Sequence, residues 1–426
     1  MTKPYHYQVD LCNQQLHVEF APSHQSAIYH FDYKEDKTPY LILNAGNGEL
    51  EVSGNVISGY QNMWNNLRVY IYMETDTEPM KTGTLQSDKW EEGKRKAKGD
   101  NTCVVVGWNA APLSLNVRYG VEQAKTNLRR GIKDFDLKKV TSAGRKIWNE
   151  ELGKISVSGG TENDRFVFYT SLYRCLERPV NISEEGRYFC VYDNRIHEDG
   201  GYAYYTDDWI WDSYRAAHPL RILTDRKKHT DIIRSFLRMS EFSSDHWYPN
   251  FPEVTGDSRR MNCNHGVSVI ADAWYKGVRD FDLQKAYTYT KAAIEEKTLA
   301  PWSSAKAGWI DRFYKEKGYI PSLASGEQET VPEVNSFEKR QSVAVTLGTA
   351  YDQWCLSRIA SALGLEKEAD DYMSCSYNYR NLFNPQTSFF HPKDKDGRFL
   401  EPFDYRFSGG LAAREYYGEN NGWISR

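Results

Sequence analysis

Residues 205–220 read YTDDWIWDSYRAAHPL. Three carboxylates (Asp207, Asp208, Asp212), two indoles (Trp209, Trp211) and one guanidinium (Arg215) fall within nine residues there. This mixture suits a polyhydroxylated ring, because flat indoles cover the apolar face of a sugar while carboxylates and guanidinium groups take paired hydrogen bonds from its hydroxyls. A helix start, with an Asp cap and two buried Trp side chains, reads the same residues without chemistry.

Splitting a glycosidic bond needs two carboxyl groups, one to protonate the leaving oxygen and one to activate water or attack directly. Further candidates are Glu253, Asp257, Asp352 and Glu419. Asp352 sits inside the helical stretch AYDQW, where a buried hydrogen-bond acceptor is the simpler reading. Glu419 lies in YYGENNGWISR, close to Trp423. An indole there would desolvate the carboxyl and raise its pKa, as a general acid requires. His265 opens a helix of small residues (GVSVIADAWYKG) and serves either as cap or as ligand contact. Arg259 and Arg260 precede it, one of them able to clamp a hydroxyl pair. Trp247 and Tyr248 read either as a sugar platform or as packing for their loop.

The elements that must hold these residues change character along the chain. Up to about residue 120, short alternating runs (16–20, 40–43, 50–52, 67–73, 102–107 and 113–119) are separated by Gly, Asn, Asp and Pro, the pattern of an antiparallel sandwich. Residues 121–155 read as a helical linker. From 156 to 426 helices dominate: 161–177, 211–223, 225–242, 266–277, 282–297, 342–364 and 367–382. Two long loops, 243–264 and 301–339, lie between them, and long loops on a helical scaffold tend to carry function. An α/α toroid fits this order better than a repeat solenoid, since no repeat period is present. The fold class is thus mixed: an antiparallel β-sandwich followed by an α/α toroid.

Composition removes several alternatives. The chain has 426 residues and a net charge of −4, with no long basic run, which argues against nucleic acid. No apolar stretch approaches the length of a membrane span. The start, MTKPYHYQVD, has no apolar signal core. Seven cysteines without a CxxC make a disulfide framework or zinc site an unfavoured expectation. No GxGxxG, P-loop, GxSxG or HExxH is present. Thirty Tyr and twelve Trp exceed what a core needs and suit a glycan-binding surface.

Several ordered blocks are together similar to glycoside hydrolase family 92, the calcium-dependent exo-acting α-mannosidases. They are PYHYQVDL, YGVEQAKTNL, FYTSLYRCLERPVNIS, WDSYRAAHPL, HGVSVIADAWYKGVRDFD, GYIP, TLGTAYDQWC and NLFNPQTSFFHPKDKDGRF. The resemblance implies removal of a terminal α-linked mannose, of α-1,2 type, from a glycan by inversion, with calcium gripping vicinal hydroxyls. It also implies a secreted or periplasmic setting. The family's acid segment, Glu-x-Asn-x-Trp, corresponds to ENNGW and carries the general acid onto Glu419. Sugar binding is carried onto Trp211 and Asp212, and with less fixed register onto Asp207, Asp208, Arg260 and His265. The calcium ligands stay unassigned.

Three departures qualify the resemblance. The family's general base comes from a Gly-Asn-x-Asp-x-Gly-Gln motif that follows the acid segment at a distance, and this chain ends at Arg426. Its opening lacks the Gly/His-rich region that precedes the PYHY-like strand. Gln341 and Gly348 stand where the family often has Glu. The expectation is the middle of a longer enzyme, with little activity by itself and with apolar helix faces exposed. A carbohydrate-binding protein using the fold without catalysis is the alternative. A glycoside phosphorylase would need a phosphate site of basic and hydroxyl residues, and no such cluster is visible.

Overall fold

The computed structural model describes residues 2–404, 415 and 416, except 35–37, 65–66, 87–88, 110–112 and 122. Alternation builds its first part. In Gly48–Ser53 the side chains of Leu50 and Val52 are buried while Glu51 and Ser53 face out. The partner strand answers in register, with Val52 opposite Ile57 and Leu50 opposite Gly59. Glycine is required at 59 because a Cβ there would collide with the Glu49 carbonyl.

Nine strands form one antiparallel sheet among the described residues. From edge to edge they are Thr2–Lys3, His6–Leu11, Leu16–Pro22, Ser26–Tyr33, Leu113–Val121, Arg68–Thr75, Val56–Asn62, Gly48–Ser53 and Lys96–Gly99. A second sheet runs Lys89–Glu92, Lys81–Gln86, Cys103–Gly107, Tyr40–Asn44. Leu50, Val52, Ile57, Leu115 and Val117 of the first sheet share one core with Val104 and Val106 of the second. This is the antiparallel β domain read from the sequence.

The helices that follow are α1 (Ala124–Gly131), α2 (Leu137–Leu152) and α3 (Glu162–Arg174). Leu128 of α1 and Ile132 behind it pack on Ala21 and Ile28 of the sheet. These three helices group with the β domain in one compact unit, Met1–Arg174, and Cys175–Arg426 forms the other.

The second unit is helical. It contains α4 (Ile210–Ser213), α5 (Ala217–Thr224), α6 (Arg226–Phe242), α7 (Gly266–Tyr275), α8 (Leu283–Glu295), α9 (Trp309–Lys317), α10 (Ser342–Ala362) and α11 (Glu366–Cys375). Helix α10 is buried along most of its length and touches α7, α8 and α11, as a helix apolar on several faces must. Ile232, Ile233 and Phe236 of α6, Val267 and Ile270 of α7, and Leu356 and Ile359 of α10 form its core. No described helix is long and apolar enough to cross a membrane.

Three sequence expectations change here. The single helix expected over 211–223 is two, because Pro219 in the first turn of α5 has no N–H for the Arg215 carbonyl and its ring crowds that carbonyl. The loop expected over 301–339 contains α9, bounded by Gly308 and by Gly318 in the left-handed conformation (φ +76°). The last helix stops at Cys375 and continues as a 3₁₀ turn, Ser376–Leu382.

Candidate functional site

The acidic segment turns sharply before it becomes helical. Asp207 adopts φ +64° and pairs with Arg178 at 2.5 Å. The Arg178 guanidinium lies 3.9 Å above the Trp209 ring, which stacks on Phe251 at 5.6 Å. Asp208 points inward and is fully buried. It accepts from His218 Nε2 at 2.7 Å and from the Ser213 hydroxyl at 2.9 Å. Burial pushes the Asp208 carboxyl up, but His218, Arg221 and Ser213 outweigh it and hold the group below its ordinary value.

Helix α4 then docks on the loop before α7 at two points. Trp211 Nε1 donates to Asn262 Oδ1 at 3.1 Å, and the Tyr214 ring stacks on His265 at 4.2 Å. Asp212, on the same turn, is exposed. From Asn262 the bonds continue inward: its amide donates to Gln341 Oε1 at 2.5 Å, and Gln341 Nε2 donates to Glu338 Oε2 at 3.2 Å. All three residues are buried. Their backbones are unusual, since Arg259, Met261, Cys263, Lys339 and Gln341 all have φ between +47° and +66°. Such residues cost about 1–3 kcal/mol each and gather where a site over-determines the chain.

His265 forms a dyad with Asp352 of α10. Its Nδ1 lies 2.7 Å from Asp352 Oδ1, while Oδ2 accepts from the Asn264 amide at 2.7 Å. A carboxylate only accepts, so Nδ1 carries the hydrogen. No described residue bonds Nε2, which the neutral ring leaves as an acceptor.

The remaining expected residues serve the loop. Asp257 accepts from the amides of Asn250, Phe251 and Arg259, shaping the turn. Trp247 and Tyr248 are buried, Trp247 beneath the Arg259 guanidinium at 4.6 Å. Arg260 is half-exposed and pairs with Glu253 at 3.3 Å. Behind the loop Lys297 is buried, and that burial pulls its ammonium down to about 8 against the opposing field of Asp257. At Gly348 the room for a side chain is taken by Cys263 Sγ. Glu419 lies outside the described residues. Tyr416, three residues before it, is docked on the N-terminus of α10, where its carbonyl accepts from Val343 at 2.8 Å and Ala344 at 3.1 Å.

The structure therefore brings Trp211 and His265 together through Asn262 and Tyr214, leaves Asp212 exposed on the same helical turn, and gives Asp207 and Asp208 internal partners. Reading the sequence missed Asn262, Glu338 and Tyr214. Asn262 had a signal, as the Asn-x-Asn-His run 262–265 concentrates short polar side chains just before a helix. Glu338 had none, since its neighbours come from distant segments.

Sequence profiles of known families match along the chain. The glycosyl hydrolase family 92 N-terminal domain matches residues 1–121 and the family 92 catalytic domain matches residues 123–426. Among solved structures, the chain is similar to a family GH92 inverting mannosidase from Bacteroides thetaiotaomicron VPI-5482, at 26% identity and TM-score 0.85. The match covers 99% of this chain and 56% of that one. A family GH92 α-mannosidase from Bacteroides thetaiotaomicron, in complex with mannoimidazole, has the same fold at 22% identity and TM-score 0.83, again covering 99% of this chain and 56% of its own. This chain thus spans a little over half the length of these relatives. No curated protein matches it.

Proposed function

The chain belongs to glycosyl hydrolase family 92, and from that premise we propose that it forms part of an exo-acting, inverting α-mannosidase that removes α-1,2-linked terminal mannose from glycans. The observation that carries this is the docking of α4 on the 262–265 loop, which joins the Trp211 indole and the His265 ring in one packed assembly, with Asp212 exposed on the same helical turn. In this reading Trp211 covers a face of the sugar, and Asp212 and His265 each accept from a hydroxyl. Asp352 holds the imidazole in its acceptor tautomer. Glu419 protonates the leaving oxygen.

Inversion calls for a second carboxylate about 6.5–9.5 Å from the first, with water between. We place that base in the part of the relatives' length that this chain does not span, within a partial (α/α)6 toroid. The chain by itself is then expected to be slow by about 10²–10⁴ for want of the base.

Calcium, when bound, would supply charge to grip vicinal hydroxyls. Its ligands are hard oxygens. The grouping of three donor side chains found among the described residues includes a cysteine sulfur, Cys190, and does not fit. No step here runs through the ion.

A binding protein without catalysis is the second reading. It is favoured by the internal partners already held by Asp207, Asp208 and Asp352. Release of mannose from α-1,2-, α-1,3- and α-1,6-mannobiose separates the two. The chain is assayed with calcium and with chelator, beside a version extended to the length of its relatives. Release by the extended version alone, blocked by chelator and by Glu419→Gln, supports the mannosidase. Mannose binding that survives Glu419→Gln, with no release from either version, supports the binding protein.

A further inference from the structure

A hairpin of the second unit, Arg187–Cys190 paired with Arg195–Glu198, sets Cys190 opposite Arg195. Its turn gathers the Cys190 sulfur, an Asp193 oxygen and a His197 ring nitrogen, all within 4.8 Å of one another. The spacing is Cys-x2-Asp-x3-His, and Asn194 at φ +58° makes the turn that closes it.

Two features distinguish this grouping from chance proximity. The sulfur is wholly buried at a strand end, whereas the Asp193 and His197 side chains are 21% and 23% exposed, so the group opens to solvent on one side. The His197 ring is held between Phe242 at 4.2 Å and Tyr188 at 5.5 Å, with its Nε2 already facing Asp193 at 2.8 Å. Its orientation is therefore set in advance.

We propose that Cys190, Asp193 and His197 form a zinc site with its fourth position open to water. Sulfur with imidazole and one carboxylate is a borderline-soft set, which selects zinc over calcium or magnesium. Tetrahedral zinc with bonds of about 2.0–2.3 Å holds its donors roughly 3.3–3.5 Å apart. The His197–Asp193 hydrogen bond opens slightly and the sulfur moves in. Binding releases the thiol proton to solvent and shifts the His197 hydrogen from Nε2, where it faces Asp193, to Nδ1. The ion ties both strands of the hairpin to its turn, independently of any mannosidase activity.

The test uses the full chain, stripped with chelator and titrated with zinc in a calorimeter, with cobalt as a spectroscopic stand-in. Saturation at one zinc per chain and a thiolate-to-cobalt charge-transfer band are expected. Cys190→Ser abolishes the band, and His197→Gln weakens zinc at least about ten-fold. Cys12→Ser, which removes an exposed thiol, leaves both readouts unchanged. His197→Gln alters a part-exposed side chain and keeps the test valid if Cys190→Ser fails to fold. No thiolate band in the wild-type chain, or zinc bound as tightly by His197→Gln, overturns the proposal.

Discussion

At the scale of single residues, partnership decides what each group can do. Asp352 spends one oxygen on His265 and the other on the Asn264 amide. Asp352→Asn keeps one acceptor and turns an amide toward a donor, leaving a buried N–H unpaired at a cost of about 1–3 kcal/mol. Urea denaturation is expected to show that loss, while His265→Gln, whose amide can still donate to Asp352, leaves the midpoint nearly unchanged. Equal loss of stability in both variants would make the dyad purely structural. His229 supplies a pH dependence. It is fully buried, neither ring nitrogen has a protein partner among the described residues, and burial, with His218 and Arg221, lowers its pKa to about 2. The unfolded chain takes up this proton near pH 6.5 and the folded chain does not, so stability is unaffected above that pH and falls below it. Between pH 6.5 and 5 the loss is about 2 kcal/mol. His229→Leu should flatten that slope in denaturant titrations at both pH values. The sequence made His265 and Asp352 candidates one by one, but their pairing joins positions 87 residues apart. Nothing local in either segment encodes it.

At the scale of elements, helix starts were legible at 225 and 282, whereas Pro219 was passed over and α4 and α5 were read as one helix. Asp136, Asp225 and Asp282 each precede a helix, and each side chain accepts from an amide of the first turn. Asp282→Ala should therefore cost about 1 kcal/mol, a loss that thermal unfolding resolves. If the loss is absent, α8 is held by packing alone. The β domain was recognised from six runs, yet Ser26–Tyr33 and Val56–Asn62 were passed over. Tyr, His and Asp interrupt the alternation in the first, and Gly59 interrupts it in the second. Helix α9 was hidden for the opposite reason. Its nine residues fall below the length at which periodicity is persuasive, though the flanking glycines Gly308 and Gly318 marked both ends. The loop that matters most, 258–265, offered candidate side chains but no legible backbone. Its left-handed residues are Arg, Met and Cys, none of which favours that conformation, and long-range contacts impose it.

At the scale of the whole molecule, the question is which apolar surface stays uncovered. Helix α10 is buried on most sides, but Tyr351 and Trp354 remain 42% and 43% exposed and stack on each other at 6.1 Å. With Tyr377, Tyr379, Leu347 and Phe390 they line a hollow of about 500 Å³ whose walls are largely apolar. Aromatic patches of this kind on a helical scaffold associate with other apolar surfaces. A net charge of −4 on 426 residues gives little repulsion to oppose that. The isolated chain is therefore expected to bind a hydrophobic dye and to self-associate as its concentration rises. Trp354→Ser combined with Tyr351→Ser should reduce both effects and leave the circular dichroism spectrum intact, because neither ring belongs to the buried core of α10. Light scattering across a concentration series decides it. If association persists in the double variant with dye binding unchanged, the sticky surface lies elsewhere and the hollow is an ordinary groove. If both fall together, this face of α10 is what the chain must cover to remain monomeric.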